Sequence, residues 1–293
     1  MTIPQENGIM AKKVDNTRRK GPMIFRYPKG VYFCLLNEFS ERFSFYGFCT
    51  ILMLYLKSRF DMSKSTATLA FHAFICLSYF SSIFGSIWAD GFVGPYKVVV
   101  FTSVIYLLGP SLVTLSAMPI DGVDDYTMKI VGVVGLLITA WCSGARKPCA
   151  TAFPANQFPN HMVEERNQMF AMFYLLTYTS ALLSQLVTSH LRSGMQCMGQ
   201  KTCYPMAWGS TALFTVVALI VLACGHRFFQ KSPPATENVI WKAIKCMQEA
   251  LAEKMRGGGV AKNDPNAHWL DLAYPAYDKK FINDVKSALK VNK

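Results

Sequence analysis

Charge is scarce in this chain, and acidic charge is scarcest. Only 16% of its 293 residues are charged, with 30 Lys and Arg against 18 Asp and Glu. A soluble domain of this length carries about a quarter charged residues, so the polar stretches here are too short to clothe one large soluble helical core. The period-two alternation that a membrane β-barrel needs is missing too. So is the short apolar run with a small-residue cleavage site that marks a secretory signal: the first 29 residues are polar and basic. No His/Cys spacing resembles a metal site. Neither a Ser/His/Asp set nor a phosphate loop at a helix start is visible, so nothing points to an enzyme, a cofactor or a metal ion.

What the chain has instead is long apolar blocks, within a composition that is 52% hydrophobic. Candidate spans run over roughly 31–56, 67–89, 98–118, 130–150, 169–190 and 207–225. Most reach the ~20 residues that cross a ~30 Å hydrocarbon layer at 1.5 Å per residue. The expectation is an all-α membrane protein with three segments: a disordered basic tail over 1–30, six transmembrane helices over 31–228 and a polar segment over 229–293. An even number of spans puts both tails on one side. Lys97, Arg166 and the basic tails share that side, against only Lys57, Arg59, Lys64, Lys129, Arg192 and Lys201 opposite. That asymmetry predicts cytoplasmic termini. The net charge of +12 thus reads as topology and attraction to anionic membrane lipid, not as nucleic-acid binding. In the last segment Ile240, Ile244, Met247, Leu251 and Met255 recur at helical spacing, predicting an amphipathic helix on the membrane or on the bundle. Gly257, Gly258 and Gly259 then form a flexible joint, and a second helix runs from Tyr277 to about Leu289.

Of the nine cysteines, six fall in or beside spans as packing residues and Cys246 lies in the reduced cytoplasmic tail. Cys197 and Cys203 bracket a short polar stretch in the predicted outer loop between spans five and six, where a local disulfide is expected.

The informative residues are charges where lipid should be. Glu38, Glu41, Arg42 and Phe45 are related by steps of three and four, so they share one face of the first span with Tyr46 beside them. Each charge costs at least ~2.5–3.5 kcal/mol at the bilayer centre, so this face must line a protein or water-filled cavity. Arg42 can neutralise one glutamate and leaves the other free to take up a proton. Span four ends in Ser143-Gly144-Ala145-Arg146-Lys147-Pro148. Lys147 is expected to face the cavity and pair with Glu41, with the helix broken at Pro148, while Arg146 snorkels to the surface. His72, early in span two, is either a packing donor or a proton acceptor. Asp90, in the Gly-rich loop after span two, either caps a helix end or makes a simple turn.

The stretch Glu38-x-x-Glu41-Arg42-Phe43-x-Phe45-Tyr46-Gly47 resembles the first-helix signature of the proton-coupled oligopeptide transporter family, part of the major facilitator superfamily. The context is most similar to its animal members. Further matches are Phe71-His72, Ala89-Asp90-Gly91-x-x-Gly94, Lys147-Pro148-Cys149, Asn156-Gln157-Phe158, Phe173-Tyr174-Leu175, Cys203-Tyr204-Pro205 and His268-Trp269-Leu270-Asp271. The resemblance implies a symporter of di- and tripeptides with protons, at the plasma membrane, working by alternating access. Within it, Glu38, Glu41 and His72 take part in proton coupling. Arg42, Tyr46, Tyr79, Lys147 and Tyr174 bind substrate, and Asp90 belongs to a gating loop.

Departures accompany the match. Tyr178 and Ser180 stand where the family's second signature has Asn and Gly, and that asparagine helps hold the peptide in relatives. Cys49 stands for an arginine, Asn156 for an aspartate and Ala145-Arg146 for a Gly-Ile pair. The family has at least about twelve spans in two six-helix halves. The expected fold is therefore the N-terminal half of that architecture. The alternative is a truncated, non-transporting paralog or isoform that associates with a full-length transporter.

Overall fold

The computed structural model describes residues 26–231, 239–256 and 268–290, except 121, 160, 198, 200, 201 and 275. The expected basic tail, up to residue 25, and the joint Gly257, Gly258 and Gly259 lie outside the described residues. Among those described there are helices and no β-strand: α1 (Lys29–Arg59), α2 (Lys64–Trp88), α3 (Pro95–Ser116), α4 (Asp125–Ala155), α5 (Val163–Ser193), α6 (Tyr204–Gly225), α7 (Val239–Met255) and α8 (Lys279–Lys290). A π-helical turn, Ala89–Val93, prolongs α2, and a 3-10 turn, Trp269–Ala273, lies between α7 and α8. Ser63 caps α2 by accepting from the Thr66 N–H. Gly94 turns the chain into α3 with a φ of 84°, a left-handed conformation in which a side chain would be strained.

Five of these helices are long and apolar enough to cross a membrane: α2 with its π turn, α3, α4, α5 and α6. With its 31 residues α1 spans about 46 Å, but it carries Glu38, Glu41 and Arg42 in its middle. All three are turned inward and buried. The bundle therefore has six long helices, of which α1 is the polar, enclosed one. It is wrapped by α5 and α6, α4 lies along α3 and α2, and α3 meets α6 to join the two groups. Buried polar pairs tie α1 to its neighbours. Ser44 Oγ lies 2.9 Å from Thr215 Oγ1 and 3.3 Å from the Tyr106 hydroxyl, and Asn37 donates to the Ala218 carbonyl at 2.9 Å. Across helices in lipid such bonds contribute about 0.6–2 kcal/mol each.

The α2–α4 contact depends on missing side chains. A Cβ on Gly144 would stand 1.7 Å from the Ser78 carbonyl oxygen, and one on Gly85 would stand 1.9 Å from that of Ala145. The expected break at Pro148 is not there, because α4 continues through Pro148 and Pro154 to Ala155. Inside a packed bundle, neighbouring groups take up the backbone atoms that a proline frees, so the helix tolerates it. In the loop after α5 a disulfide joins Cys197 to Cys203, with Cα atoms 5.2 Å apart.

The C-terminal segment has its own small core of Cys246, Ala250, Leu270, Ala273, Ile282 and Val285. Its inner face on α7 is the small-residue stripe of Ala243, Cys246 and Ala250, which lets the 3-10 turn approach closely. The expected stripe sits one step round: Met247 is partly buried, while Leu251 and Met255 are exposed. Asp271 fastens the turn by accepting from the His268 backbone N–H at 3.0 Å and from Lys286 of α8. Burial alone would raise the Asp271 carboxyl, but these donors outweigh it and hold the group below the usual carboxylate range.

Two outcomes follow from this packing. Gly144→Leu should lower bundle stability by about 3 kcal/mol, read as a fall in thermal midpoint in detergent; an unchanged midpoint would refute the close approach. Because folding depresses the Asp271 carboxyl, its contribution is complete above the ordinary carboxylate range near ~3.9 and fades as pH falls through the folded-state value. Intrinsic-rate-corrected amide protection of α8 should therefore drop under acid by less than about 1 kcal/mol, and Asp271→Asn should abolish that pH dependence.

Candidate functional site

At mid-depth α1 and α4 build a buried cluster of four charges. Arg42 Nε lies 2.5 Å from Glu38 Oε1 and 3.2 Å from Glu41 Oε2. Arg146 Nη2 lies 3.0 Å from the same Glu41 oxygen, and its Nη1 donates to Ser103 Oγ of α3 at 2.8 Å. Two carboxylates and two guanidiniums balance, which is how four charges persist at this depth.

This overturns the expected pairing of Glu41 with Lys147 and the expected snorkelling of Arg146. The Arg146 side chain is only 2% exposed. It lies on the buried stripe of α4 with Cys142, Cys149 and Phe153, whereas Lys147 is one residue, about 100°, further round. Lys147 points elsewhere: its Nζ donates to Ser78 Oγ at 3.1 Å and sits 4.2 Å from the Tyr79 ring centre and 4.9 Å from that of Phe45. Cation–π attraction and one hydrogen bond to an uncharged hydroxyl take the place of an ion pair.

An open cavity of about 780 Å³ adjoins the cluster. Six of the expected site residues line it: Glu38, Arg42, Tyr46, Tyr79, Lys147 and Tyr174. Glu41 stands behind Arg42 and does not. Nor does His72, which is exposed on α2 beside the Phe71 ring, 5.8 Å between centres, and does not join the carboxylates. Asp90 is half-buried in the π-helical turn at the other end of α2. Of the departures from the family pattern, Cys49 lines the cavity, Tyr178 is 70% exposed, and Ser180 is buried, donating to the Thr177 carbonyl at 2.8 Å.

Sequence reasoning missed Arg146 as a member of the cluster, along with its polar neighbour Ser103 and the Ser78 hydroxyl that holds Lys147. The signal was available for the arginine: Thr139, Cys142, Arg146, Cys149 and Phe153 follow steps of three and four, and only one member of that stripe is charged. Nothing in the chain's linear order marks Ser103.

The POT family model matches residues 96–292. Peptide transporter 3 of Caenorhabditis elegans is 37% identical over 266 residues, covering 90% of this chain and 37% of that protein. Human solute carrier family 15 member 2 is 37% identical over 267 residues, covering 90% and 36%. The chain thus spans little more than a third of the length of the curated relatives it matches. Among solved structures, the POT family transporter PepTSo superposes with a TM-score of 0.66 at 21% identity, covering 90% of this chain and 58% of that one. An auto-inhibited POT family peptide transporter superposes with a TM-score of 0.67 at 19% identity, covering 90% and 57%. These solved structures share the fold of this chain. The chain is a multi-pass membrane protein that belongs to the POT family.

Proposed function

We propose that this chain works as the N-terminal part of a proton-coupled carrier of di- and tripeptides that operates by alternating access. The observation that carries the reading is the cavity wall, on which Glu38 and Arg42 stand together with Lys147 among three tyrosines. The wall suits a zwitterion with a polar backbone. Lys147 and Arg42 attract the peptide carboxylate, and Tyr46, Tyr79 and Tyr174 offer hydroxyls to its amides. Protonation within the carboxylate cluster weakens the hold on Arg42. That biases a bundle with two packings toward one of them. The peptide leaves chemically unchanged, so the chain acts as a carrier and not an enzyme. The charge asymmetry of the loops supports cytoplasmic termini, and the animal relatives support a plasma-membrane location.

A second reading uses the same cavity, which is open on one side, with Tyr79 64% and Tyr174 52% exposed. A separate full-length transporter docked on that wall would cover it, and the chain would then modulate its partner without transporting anything itself. Co-purification of the two polypeptides at a fixed ratio, with no uptake by this protein alone, would favour that arrangement.

In proteoliposomes holding the natural polypeptide, an inward proton gradient should drive dipeptide accumulation, and a protonophore should collapse it. Accumulation indifferent to the gradient would remove the proton-coupled reading. Lys147→Gln should raise the KM for a free dipeptide by roughly tenfold to a hundredfold, as expected for loss of one charged hydrogen bond. A C-terminally amidated dipeptide should be unaffected by that substitution, and an equal effect on both would take the carboxylate away from Lys147.

A further inference from the structure

The two carboxylates of the cluster have unequal surroundings. Glu41 lies between two guanidiniums, those of Arg42 and Arg146, and neither loses its proton in a protein. Through Arg146 it is also tied to Ser103, so α1, α3 and α4 meet at this one group. It does not line the cavity. Glu38 has Arg42 alone within ion-pair distance, a partner it shares with Glu41, and, though buried, it contributes to the lining of the open cavity.

From this asymmetry, and resting on the proton-coupled reading above, we propose that Arg146 is a positioning residue that pins Glu41 as a permanent carboxylate and confines the cluster's exchangeable proton to Glu38. The other groups that face the pair do not compete for that role. From α1 these are Cys34, Tyr46 and Cys49; from α2, Tyr79; from α3, Tyr106; from α4, Lys147 and Cys149; from α5, Tyr174. None is a carboxylate. Lys147, the only further cation among them, is held by Ser78 and two aromatic rings and not by Glu41. The face of α6 contributes Thr215 and the Ala218 carbonyl.

Charge balance gives the assignment its consequence. With Glu38 ionised the cluster is neutral. Once Glu38 is protonated it carries one excess positive charge, and Arg42, already on the cavity wall, is the guanidinium that loses a partner. A bound carboxylate then finds Arg42 as well as Lys147. Without Arg146 the two carboxylates would share Arg42 alone, and like charges sharing one partner do not both stay ionised.

Difference infrared spectroscopy of the purified protein in lipid, titrated over about pH 5–8, reads the protonated-carboxyl stretch without any need for transport. The expected spectrum has one cluster carboxyl that titrates, lost in Glu38→Gln and kept in Glu41→Gln. Arg146→Gln should add a second titrating carboxyl, and Arg146→Lys should keep the single one. A titrating band lost in Glu41→Gln and kept in Glu38→Gln would overturn the proposal. So would a spectrum unchanged in Arg146→Gln, or one with no titrating carboxyl that Glu38→Gln removes. If Arg146→Gln does not fold, the two Gln variants, close in shape to the native side chains, still decide which glutamate titrates. Should dipeptide uptake fail while this titration pattern holds, the peptide reading falls and the assignment of the proton stands.

Discussion

The balanced cluster of Glu38, Glu41, Arg42 and Arg146 is the constraint around which the bundle is arranged. A membrane helix with three charges in its middle is stable only where neutralising groups and other helices surround it. That requirement places α1 between α5 and α6 and against α3. Further buried polar groups of α1, Asn37, Ser44 and Tyr55, each have a partner on a neighbouring helix, set among apolar core residues such as Phe48, Ile51 and Leu52. The same requirement selects the fourth charge. Once Arg146 neutralises the cluster, Lys147 is surplus, and it settles over the Tyr79 and Phe45 rings on the cavity side. One residue of helical phase thus separates a structural cation from a cation available to a ligand.

The helices were legible because apolar runs of about twenty residues have no other stable home. Their ends were less so. A proline at 148 reads as a stop in water, yet α4 passes through it, since the surrounding bundle satisfies what the proline frees. The charged stripe of α1 was readable from spacing alone, because three charges on one face admit a single inward orientation. The partner on α4 was readable only in part: Arg146 falls on the stripe of Thr139, Cys142, Cys149 and Phe153, but two adjacent cations can each be turned inward by rotating the helix. The rotation is set by the Gly85–Ala145 and Gly144–Ser78 contacts between α2 and α4, which are tertiary facts. His72 has a residue type that suits proton transfer, but it is exposed on α2 beside Phe71 and is not among the groups that meet the two carboxylates here. In the C-terminal segment α7 is a helix as expected, and the face that packs on the 3-10 turn lies beside the stripe of larger apolar residues. Close approach of the 3-10 turn favours the small stripe of Ala243, Cys246 and Ala250 over Leu251 and Met255.

Against the pattern that the family resemblance implies, Cys49 on the cavity wall stands for an arginine, and Arg146 in the cluster behind it stands for an isoleucine. Tyr178 and Ser180 alter α5 next to Tyr174, exchanging an amide for an exposed phenol and a glycine for a buried hydroxyl that bonds back to its own helix. Cys49 lies on the cavity wall with Lys147, Tyr46, Tyr79 and Tyr174, while Tyr178 and Ser180 lie off it.

The open side of the cavity bears on how a ligand can be moved. Arg42 and Lys147 stand on a wall where Tyr79 and Tyr174 remain largely exposed. Turned to hydrocarbon, an uncovered cation costs at least ~2.5–3.5 kcal/mol at mid-depth, and the tyrosine hydroxyls add their own desolvation. Covering helices remove that cost by closing the wall around water and ligand. They also convert a fixed groove into a compartment that can open to either side in turn. In the carrier proposed above, what lies across the cavity from Lys147 therefore matters as much as the cluster beneath it: the cluster would set when Arg42 is free to meet a ligand carboxylate, and the opposing wall would set which way that ligand can leave.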